Sequence, residues 1–512
     1  MMVVKDESKI VKKRDLVGIL VLTAIALTIG VYLIFTTVLI SNDGVFYIER
    51  AKQLTIDPVR IITKHPPGFP FLILIAYKFT SLFSNSKSVQ VWIYSAQAVT
   101  LLCRLLALIP LYFIGKLSVG GKNSFWAVLI LIFLPFPTKV VCDVVREWPY
   151  LLFLASGFFF LFWCAKYGKW YAMFLVGLSS GLGYLIRHES AQLIVYGILW
   201  LASSVLKPKR WDVSRWKSLI ALALLLIGFA IPAVPYMKCT GRILPPKTYH
   251  IMQSVSFDSL TDKTDVLAAD SAESRYYNAK IAPDYILKAL NGIFKTTGEN
   301  LMWFFLPMLL IGFWYHLRLN AEYEERFLIT AFITMNVIMM VLRYSYIQPH
   351  ISQRWSLPLI TFTVFYIPIG FGVFAKGLEN IFSINKQKSA GLKDNRTLWF
   401  WVLLLTGLCI CSPKLLRPIR MEKKGYLDAA KWLRTNTAPN DTIALQDRRI
   451  AFYAMRKGLG YSKKVPKRAK YVVRIAAGED ETPEWSATFR EKYSVWVDKR
   501  KEKKRIVIYK VL

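Results

Sequence analysis

The chain has 512 residues, of which 54% are hydrophobic and 14% aromatic, and its formal net charge is +34 at pH 7. Its mean hydropathy is +0.36, and a water-soluble fold cannot bury that much apolar side-chain surface. Long apolar runs recur from Leu16 to Cys411, so the composition excludes a soluble globular protein and indicates a multi-pass membrane protein. The charge does not indicate nucleic-acid binding, because the chain has no recognisable base-stacking module and no basic stripe on a soluble fold.

Membrane-spanning helices need roughly 20 apolar residues each. Eleven segments are predicted to span, in the order 16–40, 91–115, 124–141, 149–165, 170–186, 190–206, 218–236, 301–315, 327–342, 355–375 and 397–412. The first is too long for a signal-peptide core and no small-residue cleavage site follows it, so it is interpreted as a retained span. The short apolar stretch 69–84 carries Lys78 and is predicted to be a helix at the membrane interface.

The distribution of lysine and arginine predicts the orientation, since short cytoplasmic loops are enriched in both. With the basic N-terminus in the cytoplasm, all the predicted cytoplasmic loops contain basic residues: 116–122, 166–169, 207–217, 316–326 and 376–396. This agreement requires that 69–84 does not cross. The charge distribution predicts a cytoplasmic N-terminus and an extracytoplasmic C-terminus. The compact loops favour the inner (plasma) membrane of a bacterium.

Two domains are predicted. Residues 1–412 form an all-α polytopic membrane bundle with outer loops at 41–90 and 237–300, the latter with helical patches at 272–280 and 284–294. Residues 413–512 form a small extracytoplasmic α/β domain. Its pattern predicts an amphipathic helix at Gly425–Asn436 and strands at 442–445, 471–475, 493–497 and 505–512, the last two as a hairpin.

Charged and polar residues gather on the predicted non-cytoplasmic face, next to the spans. Ionisable groups in such places are costly and are often functional. The candidates are Asp43, Tyr47, His65, Asp143, Arg146, Glu147, Arg187, His188, Glu189, Arg343 and Arg354. The six cysteines have no metal-ligand spacing, and no pattern supports a disulfide between Cys142 and Cys239.

These residues also have structural interpretations. Asp43 is a residue type that caps helices, and Asp43, Tyr47 and Ala51 share a helix face. The turn His65-Pro66-Pro67-Gly68 suits a rigid entry into 69–84. The pairs Arg146–Glu147 and Arg187–Glu189 are typical of interfacial ion pairs as well as of a binding site.

The same residue types suit glycosyl transfer from a lipid phosphate. The acceptor hydroxyl needs a base, and a carboxylate such as Asp43 can accept its proton. A single base is sufficient for one in-line displacement, which inverts the anomeric centre. The departing phosphate gathers negative charge, which arginines stabilise at a dry boundary. Arg187 and Arg354 are the first candidates for this role, followed by Arg146 and Arg343.

At these positions the chain resembles the C-type (GT-C) membrane glycosyltransferases of the protein O-mannosyltransferase and aminoarabinose-transferase kind (glycosyltransferase family 39 type). Asp43 followed by Tyr47 matches the acid and aromatic of the family's first outer loop, and His65 to Gly68 matches its turn. Asp143 and Glu147 both match its second-loop acid. Further matches are the segments Gly177–Glu189, Arg343–Pro358 and Tyr426–Leu433.

The resemblance implies a helical bundle roofed by juxtamembrane helices, a dolichyl- or undecaprenyl-phosphate-linked hexose or pentose donor, and an inverted product. Asp43 stands between Asn42 and Gly44 where the family often has an Asp-Glu pair, so the residues support neither a divalent metal nor another cofactor. Tyr47, His65, Asp143, Glu147, His188 and Glu189 are further site candidates. The expected partners are the lipid-linked donor, membrane lipid and a protein, lipid or glycan acceptor.

Three alternatives stay open. A transporter or flippase of lipid-linked glycan would carry charges inside its spans, and Arg104 is the main such charge here. An assembly protein that binds a partner through its outer tail would not need Asp43. A ligase that moves a whole lipid-linked glycan would use the same residues as a single-sugar transferase.

Overall fold

The computed structural model describes residues 12–83, 88–206, 215–242, 283–346, 349–383, 395–461, 465–476, 489–498 and 503–512. Its first helices are α1 (Lys13–Thr36), α2 (Asn42–Gln53), α3 (Pro58–Lys64), α4 (Gly68–Ser81), α5 (Val89–Val119), α6 (Gly121–Phe133), α7 (Pro135–Lys139), α8 (Glu147–Tyr167), α9 (Met173–Tyr184) and α10 (Gln192–Leu206). They are followed by α11 (Arg215–Thr240), α12 (Pro283–Asn300), α13 (Phe305–Leu319), α14 (Tyr323–Tyr346), α15 (Leu357–Thr363), α16 (Ile367–Ser383), α17 (Asn395–Leu416), α18 (Lys424–Asn436) and α19 (Arg448–Ala454).

The predicted membrane bundle is confirmed. Among the described residues, 8 helices are long and apolar enough to cross a membrane, or up to 10 if each of two bent helix pairs is one span. The bent pairs are Gly121–Phe133 with Pro135–Asp143, at 66°, and Asp284–Asn300 with Phe305–Leu319, at 109°. These helices coincide with all the predicted spans except 170–186. The apolar helix α4 has 14 residues and is too short for this set, as expected for an interfacial helix.

The predicted span 170–186 is a short 3₁₀ turn, Trp170–Ala172, followed by the 12 residues of α9. Its glycines explain how it packs. A Cβ added to Gly177 would lie 2.1 Å from the carbonyl oxygen of Leu225, and one added to Gly181 would lie 2.7 Å from that of Phe229. The later glycine of α9 meets the later residue of α11, so the two helices run parallel with their backbones in contact.

Arg104, the charge that favoured a transporter, has a structural role. It is fully buried in α5, and its guanidinium donates to the Ile132 carbonyl at 3.3 Å and to the Thr138 hydroxyl at 2.8 Å. These acceptors lie at the bend between α6 and α7, where carbonyls lose their helical partners. Arg104 therefore stabilises a broken span.

The helices α13 and α16 also touch through their backbones. A Cβ added to Gly312 would lie 1.9 Å from the Tyr366 carbonyl oxygen, and one added to Gly370 would lie 1.9 Å from that of Met308. Such distances are far below any real Cβ contact. Only glycine at both positions allows the two helices to approach this closely.

Replacing Gly370 by Ala is therefore expected to lower the free energy of unfolding by about 1–3 kcal/mol, because the two helices must separate. Thermal unfolding of the purified protein in detergent, followed by tryptophan fluorescence, measures this. Gly372→Ala is the matched control, since its Cβ would have no neighbour within 4 Å. It should be neutral or stabilise by up to about 1 kcal/mol. Equal melting of both variants would contradict the close contact.

The C-terminal part is the small α/β domain that the sequence predicts. Its sheet contains β1 (Thr442–Leu445), β2 (Lys457–Gly460), β3 (Tyr471–Ala476), β4 (Phe489–Trp496) and β5 (Arg505–Val511), in the order β2-β1-β3-β5-β4. Strand β1 is parallel to β2 and β3, whereas β5 is antiparallel to β3 and β4. The predicted helix is α18 and the predicted hairpin is β4–β5. Helix α19 and strand β2 were not predicted.

This domain is docked on the segment between α1 and α2. Leu39 is buried in the domain core with residues such as Leu433 and Ile450. The Ile40 amide donates to the Tyr453 hydroxyl at 3.1 Å, and the Val38 amide donates to the Ile419 carbonyl at 3.2 Å. The C-terminal domain thus holds the chain immediately before Asp43.

Two predictions fall partly outside the described residues. Of the predicted loop 237–300, residues 243–282 are not described, so the helical patch at 272–280 stays untested. The patch at 284–294 lies in α12. Cys142 is buried, Cys239 is exposed, and both are free thiols.

Candidate active site

Asp43 lies in the first turn of α2, at the end of the bundle that carries the C-terminal domain. The cap of this helix is Ser41, whose hydroxyl accepts a hydrogen bond from the Gly44 amide at 2.9 Å. Capping therefore does not explain Asp43. Its side chain is 56% exposed, at a helix N-terminus where the macrodipole favours a negative charge.

The residues around Asp43 pack tightly against the segment that enters α8. The Ser41 hydroxyl donates to the Asp143 carbonyl at 2.7 Å. A Cβ added to Gly44 would lie 2.5 Å from the same carbonyl oxygen, so this position requires glycine. These contacts bring the first and second predicted outer loops together.

Arg354 forms an ion pair with Asp43 and comes from the turn between α14 and α15. Burial by itself would lower the pKa of Arg354, but the carboxylates of Glu147, Asp43 and Asp143 raise it above its ordinary value. Arg354 is thus a permanent cation facing several acids. Its side chain is 29% exposed, so a ligand could reach it.

Two further arginines share one carboxylate. Arg187 Nε lies 3.1 Å and Arg343 Nη1 lies 3.6 Å from Glu189 Oε1. Arg187 is buried with its guanidinium 5.2 Å from the Tyr150 ring, and Arg343 is stacked 3.8 Å from the Trp355 ring. The charges of Arg146 and Glu147 also act on this cluster, so three guanidinium groups face two carboxylates and the cluster keeps a positive charge.

The turn from His65 to Gly68 packs against the segment that leads to Arg187. The Gly68 amide donates to the Leu185 carbonyl at 2.8 Å, and a Cβ on Gly68 would lie 2.8 Å from the same oxygen. The glycine therefore allows the turn to touch the chain two residues before Arg187. His65 is half-buried with its ring edge-on to Phe46, at 5.7 Å between centroids.

Tyr47 and Glu147 lie between the two groups of charges. Tyr47 packs edge-on against Phe69 at 5.0 Å, and burial raises its pKa. The charges of Arg146, Glu147 and Asp43 act on its hydroxyl. Glu147 is 6% exposed, and among the described residues its Oε2 has no hydrogen-bond partner. Such an atom is costly and favours a cationic or hydroxyl-bearing ligand.

Three other predicted site residues have contacts outside this cluster. His188 is packed with Tyr184 and Tyr236, and its Nε2 lies 3.3 Å from the Tyr236 hydroxyl. Asp143 is paired with Arg420, although its charge also acts on Arg354. Arg146 donates to the Ile186 carbonyl at 3.5 Å, and its charge acts on Tyr47 and Glu189. Of the two acids that match the second loop, Glu147 is the one whose charge acts on Arg187, Arg343 and Arg354.

Arg420 was not predicted from the sequence. It lies between α17 and α18 with a φ of 58°, and it donates to the Leu39 carbonyl at 3.0 Å as well as to Asp143. A single arginine in a linker with several basic residues cannot be recognised as a site residue from its local sequence. Gly44 is a second such residue, because its constraint arises from the backbone of Asp143, which is distant in sequence.

Within the described ranges, no three His, Cys, Asp or Glu side chains are grouped as a metal site would require. The arrangement is an exposed carboxylate beside a cluster of arginines. It can accept a proton and can bind an anionic group.

Comparison with known proteins adds two findings. Residues 64–234 match the sequence model of the family described as Dolichyl-phosphate-mannose-protein mannosyltransferase. The match includes the turn at His65, the segment that enters α8, and Arg187 to Glu189, but neither Asp43 nor Arg354. No curated protein matches the chain by sequence.

Solved structures have a similar fold. ArnT from Cupriavidus metallidurans, bound to undecaprenyl phosphate, has a TM-score of 0.57 at 12% identity, over 96% of this chain and 97% of ArnT. The archaeal oligosaccharyltransferase AglB from Archaeoglobus fulgidus, in complex with an inhibitory peptide and a dolichol-phosphate, has a TM-score of 0.52 at 12% identity. This match covers 90% of the present chain and 69% of AglB. Over 64–234 the chain thus resembles the mannosyltransferase family, and as a whole it has the fold of ArnT and of the matched part of AglB.

Proposed function

We propose that the chain is an inverting glycosyltransferase that moves one sugar from a polyprenyl-phosphate donor to an acceptor hydroxyl on the non-cytoplasmic side of the membrane. The observation that carries the proposal is the ion pair between Asp43 and Arg354. In this pair an exposed carboxylate lies beside a cation on which the charge of Glu147 also acts, and this supports a general base next to a phosphate site. The match over 64–234 and the fold of ArnT support a lipid-linked donor.

In this mechanism Asp43 is the general base. The acceptor oxygen attacks the anomeric carbon, and its proton passes to the Asp43 carboxylate as the new glycosidic bond forms. The bond between that carbon and the phosphate oxygen breaks, and the carrier leaves as a phosphate anion. One displacement inverts the anomeric configuration, since no second carboxylate acts as nucleophile.

Arginines stabilise the leaving phosphate. Arg354 is proposed to contact it directly, because it is the arginine paired with the base. Arg187 and Arg343 hold Glu189, and the charge of Arg146 also acts on it. These three arginines outnumber the carboxylates of Glu189 and Glu147, and their net positive charge attracts the phosphate at a site of low dielectric. The rest of the proposed active site is lined by Tyr47, His65 and Glu147. The neighbouring segments of the chain are held in position by His188 and Asp143.

The stereochemical outcome tests this mechanism. Purified protein is given a lipid-phosphate sugar of known anomeric configuration, and the product is analysed by NMR. The product should have the opposite configuration. A retained configuration would require a second nucleophile, with Glu147 as the candidate, and would overturn the single-displacement mechanism.

We further propose that the N-terminus lies in the cytoplasm and the C-terminal domain outside it, in the inner (plasma) membrane. In a background with Cys239 and Cys409 replaced by Ser, a membrane-impermeant maleimide should label Lys457→Cys in intact cells. Lys12 is also exposed, but Lys12→Cys should react with the maleimide only after the cells are permeabilised. The reverse pattern would contradict the orientation.

A further inference from the structure

A separate cavity of about 350 Å³ lies between α2 and α3, beside the candidate active site. Its lining includes Arg50 from α2 and Arg60, Lys64 and His65 from α3 and its end. It therefore contains three cations and one histidine. His65 is the residue that it shares with the turn described above.

The cations that line this cavity outnumber its acids, three to one. Asp57 also lines it, but its carboxylate accepts a hydrogen bond from the Arg60 amide at 3.1 Å and caps α3. In the described part of the chain, no ion pair joins Arg50, Arg60 or Lys64 to a carboxylate. Like charges so placed repel one another, and an anion bound between them would remove that cost.

Of these cations, Arg50 packs against an aromatic ring. Its guanidinium is stacked on the Phe46 ring at 3.8 Å, and Arg448 from α19 lies 5.5 Å from the same ring. Arg50 Nη1 is buried and has no hydrogen-bond partner among the described residues. Burial lowers the pKa of Arg50 to about 10, so it is still charged at neutral pH. A buried guanidinium nitrogen without an acceptor is costly unless a ligand supplies one.

The position of Arg50 relates the cavity to the reaction. Asp43, Tyr47 and Arg50 are at i, i+4 and i+7 in α2, so they share one helix face. Seven residues of α-helix rise about 10 Å. One molecule could therefore place a hydroxyl at Asp43 and an anionic group at Arg50.

We propose that this cavity binds an anionic group, a phosphate or a carboxylate, that the acceptor carries about 10 Å from the hydroxyl that receives the sugar. The inference rests on the proposed function, which assigns the donor phosphate to Arg354 and its neighbours. The donor has a single phosphate, and that phosphate cannot occupy both places. The volume suits a charged group with a few flanking atoms and is too small for a large glycan.

Acceptor kinetics test the assignment. Transfer of labelled sugar from a lipid-linked donor is measured against increasing amounts of acceptor extract, for wild type, Arg50→Gln and Lys64→Gln. Each variant should raise the acceptor KM about tenfold, with kcat and the donor KM unchanged. Lys52→Gln is the matched control, because Lys52 is in the same helix but faces Trp92 and Phe452. Unchanged acceptor KM in both cavity variants would overturn the inference and leave the proposed function intact.

A binding measurement keeps the two hypotheses apart if no transfer is detected. Wild type and Arg50→Gln are placed in phosphatidylcholine nanodiscs, and the thermal stabilisation by inorganic phosphate is compared with that by chloride at equal ionic strength. A phosphate effect that Arg50→Gln loses and Lys52→Gln keeps supports the cavity. Equal stabilisation of all three proteins overturns it. Loss of the difference when phosphatidylglycerol is added would assign the cavity to bulk lipid headgroups and overturn the acceptor assignment.

Discussion

Replacing Asp43 by Asn is expected to reduce sugar transfer by about 10²- to 10⁴-fold, the usual contribution of a general base. Asparagine keeps the size of the side chain, and Ser41 still caps α2, so the fold should be unchanged. The measurement is transfer of radiolabelled sugar from a lipid-linked donor by equal amounts of membrane-inserted protein. Binding of the donor should be retained, because the neutral amide introduced by Asp43→Asn does not repel the phosphate.

Glu49→Gln is the control for this experiment. It makes the same acid-to-amide change in α2, but Glu49 faces Arg448 and Lys52 rather than the arginines of the site. Its transfer rate should stay within about twofold of wild type, the range of a surface change. If Asp43→Asn transferred sugar as fast as wild type, the base would have to be Glu147, Glu189 or Asp143.

Replacing Arg354 by Gln is expected to lower kcat by about 10²- to 10³-fold, comparable to the loss of one preorganised donor to a developing anion. Two effects combine, since the carrier phosphate loses a cation and Asp43 loses its ion-pair partner. Arg354→Lys should recover only part of the rate, because lysine keeps the charge without the planar fork. The measurement is single-turnover transfer with the protein in excess over the labelled donor.

Arg434→Gln, on the exposed face of α18, is the control for removal of a positive charge and should transfer normally. The double variant Asp43→Asn with Arg354→Gln separates the two effects. If Arg354 acts only by holding Asp43, the double variant will be no slower than Asp43→Asn. If Arg354→Gln alone matches wild type, the phosphate is held by Arg187 and Arg343 instead.

Much of the architecture follows from local sequence. Each predicted span is a run of apolar residues, and lipid allows almost no other structure for such a run than a helix. The strands at 442–445 and 471–475 are short apolar runs rich in β-branched residues, a local signal that does not depend on the rest of the fold. Helix α19 and strand β2 were missed because they are short, and β2 contains two glycines that weaken a strand pattern.

The candidate residues were found by combining the spans with the sidedness of charge. This combination assigns the residues to one side of the membrane, but it does not predict which side chains are in contact. Asp43 and Arg354 are 311 positions apart, and nothing in either local sequence predicts their ion pair.

The sequence by itself determined that this is a multi-pass membrane protein with a small α/β domain, because hydropathy and residue periodicity are local properties. Only the tertiary structure decided that Ser41 and not Asp43 caps α2, that the charge of Glu147 acts on Arg187, Arg343 and Arg354, and that Arg420 ties Asp143 to the linker before the C-terminal domain. It also decided that Arg50 borders a cavity, with its Nη1 unpartnered among the described residues. Pairings between distant segments depend on how whole helices pack, and contacts such as those of Gly44 and Gly68 exist only once the backbones have met.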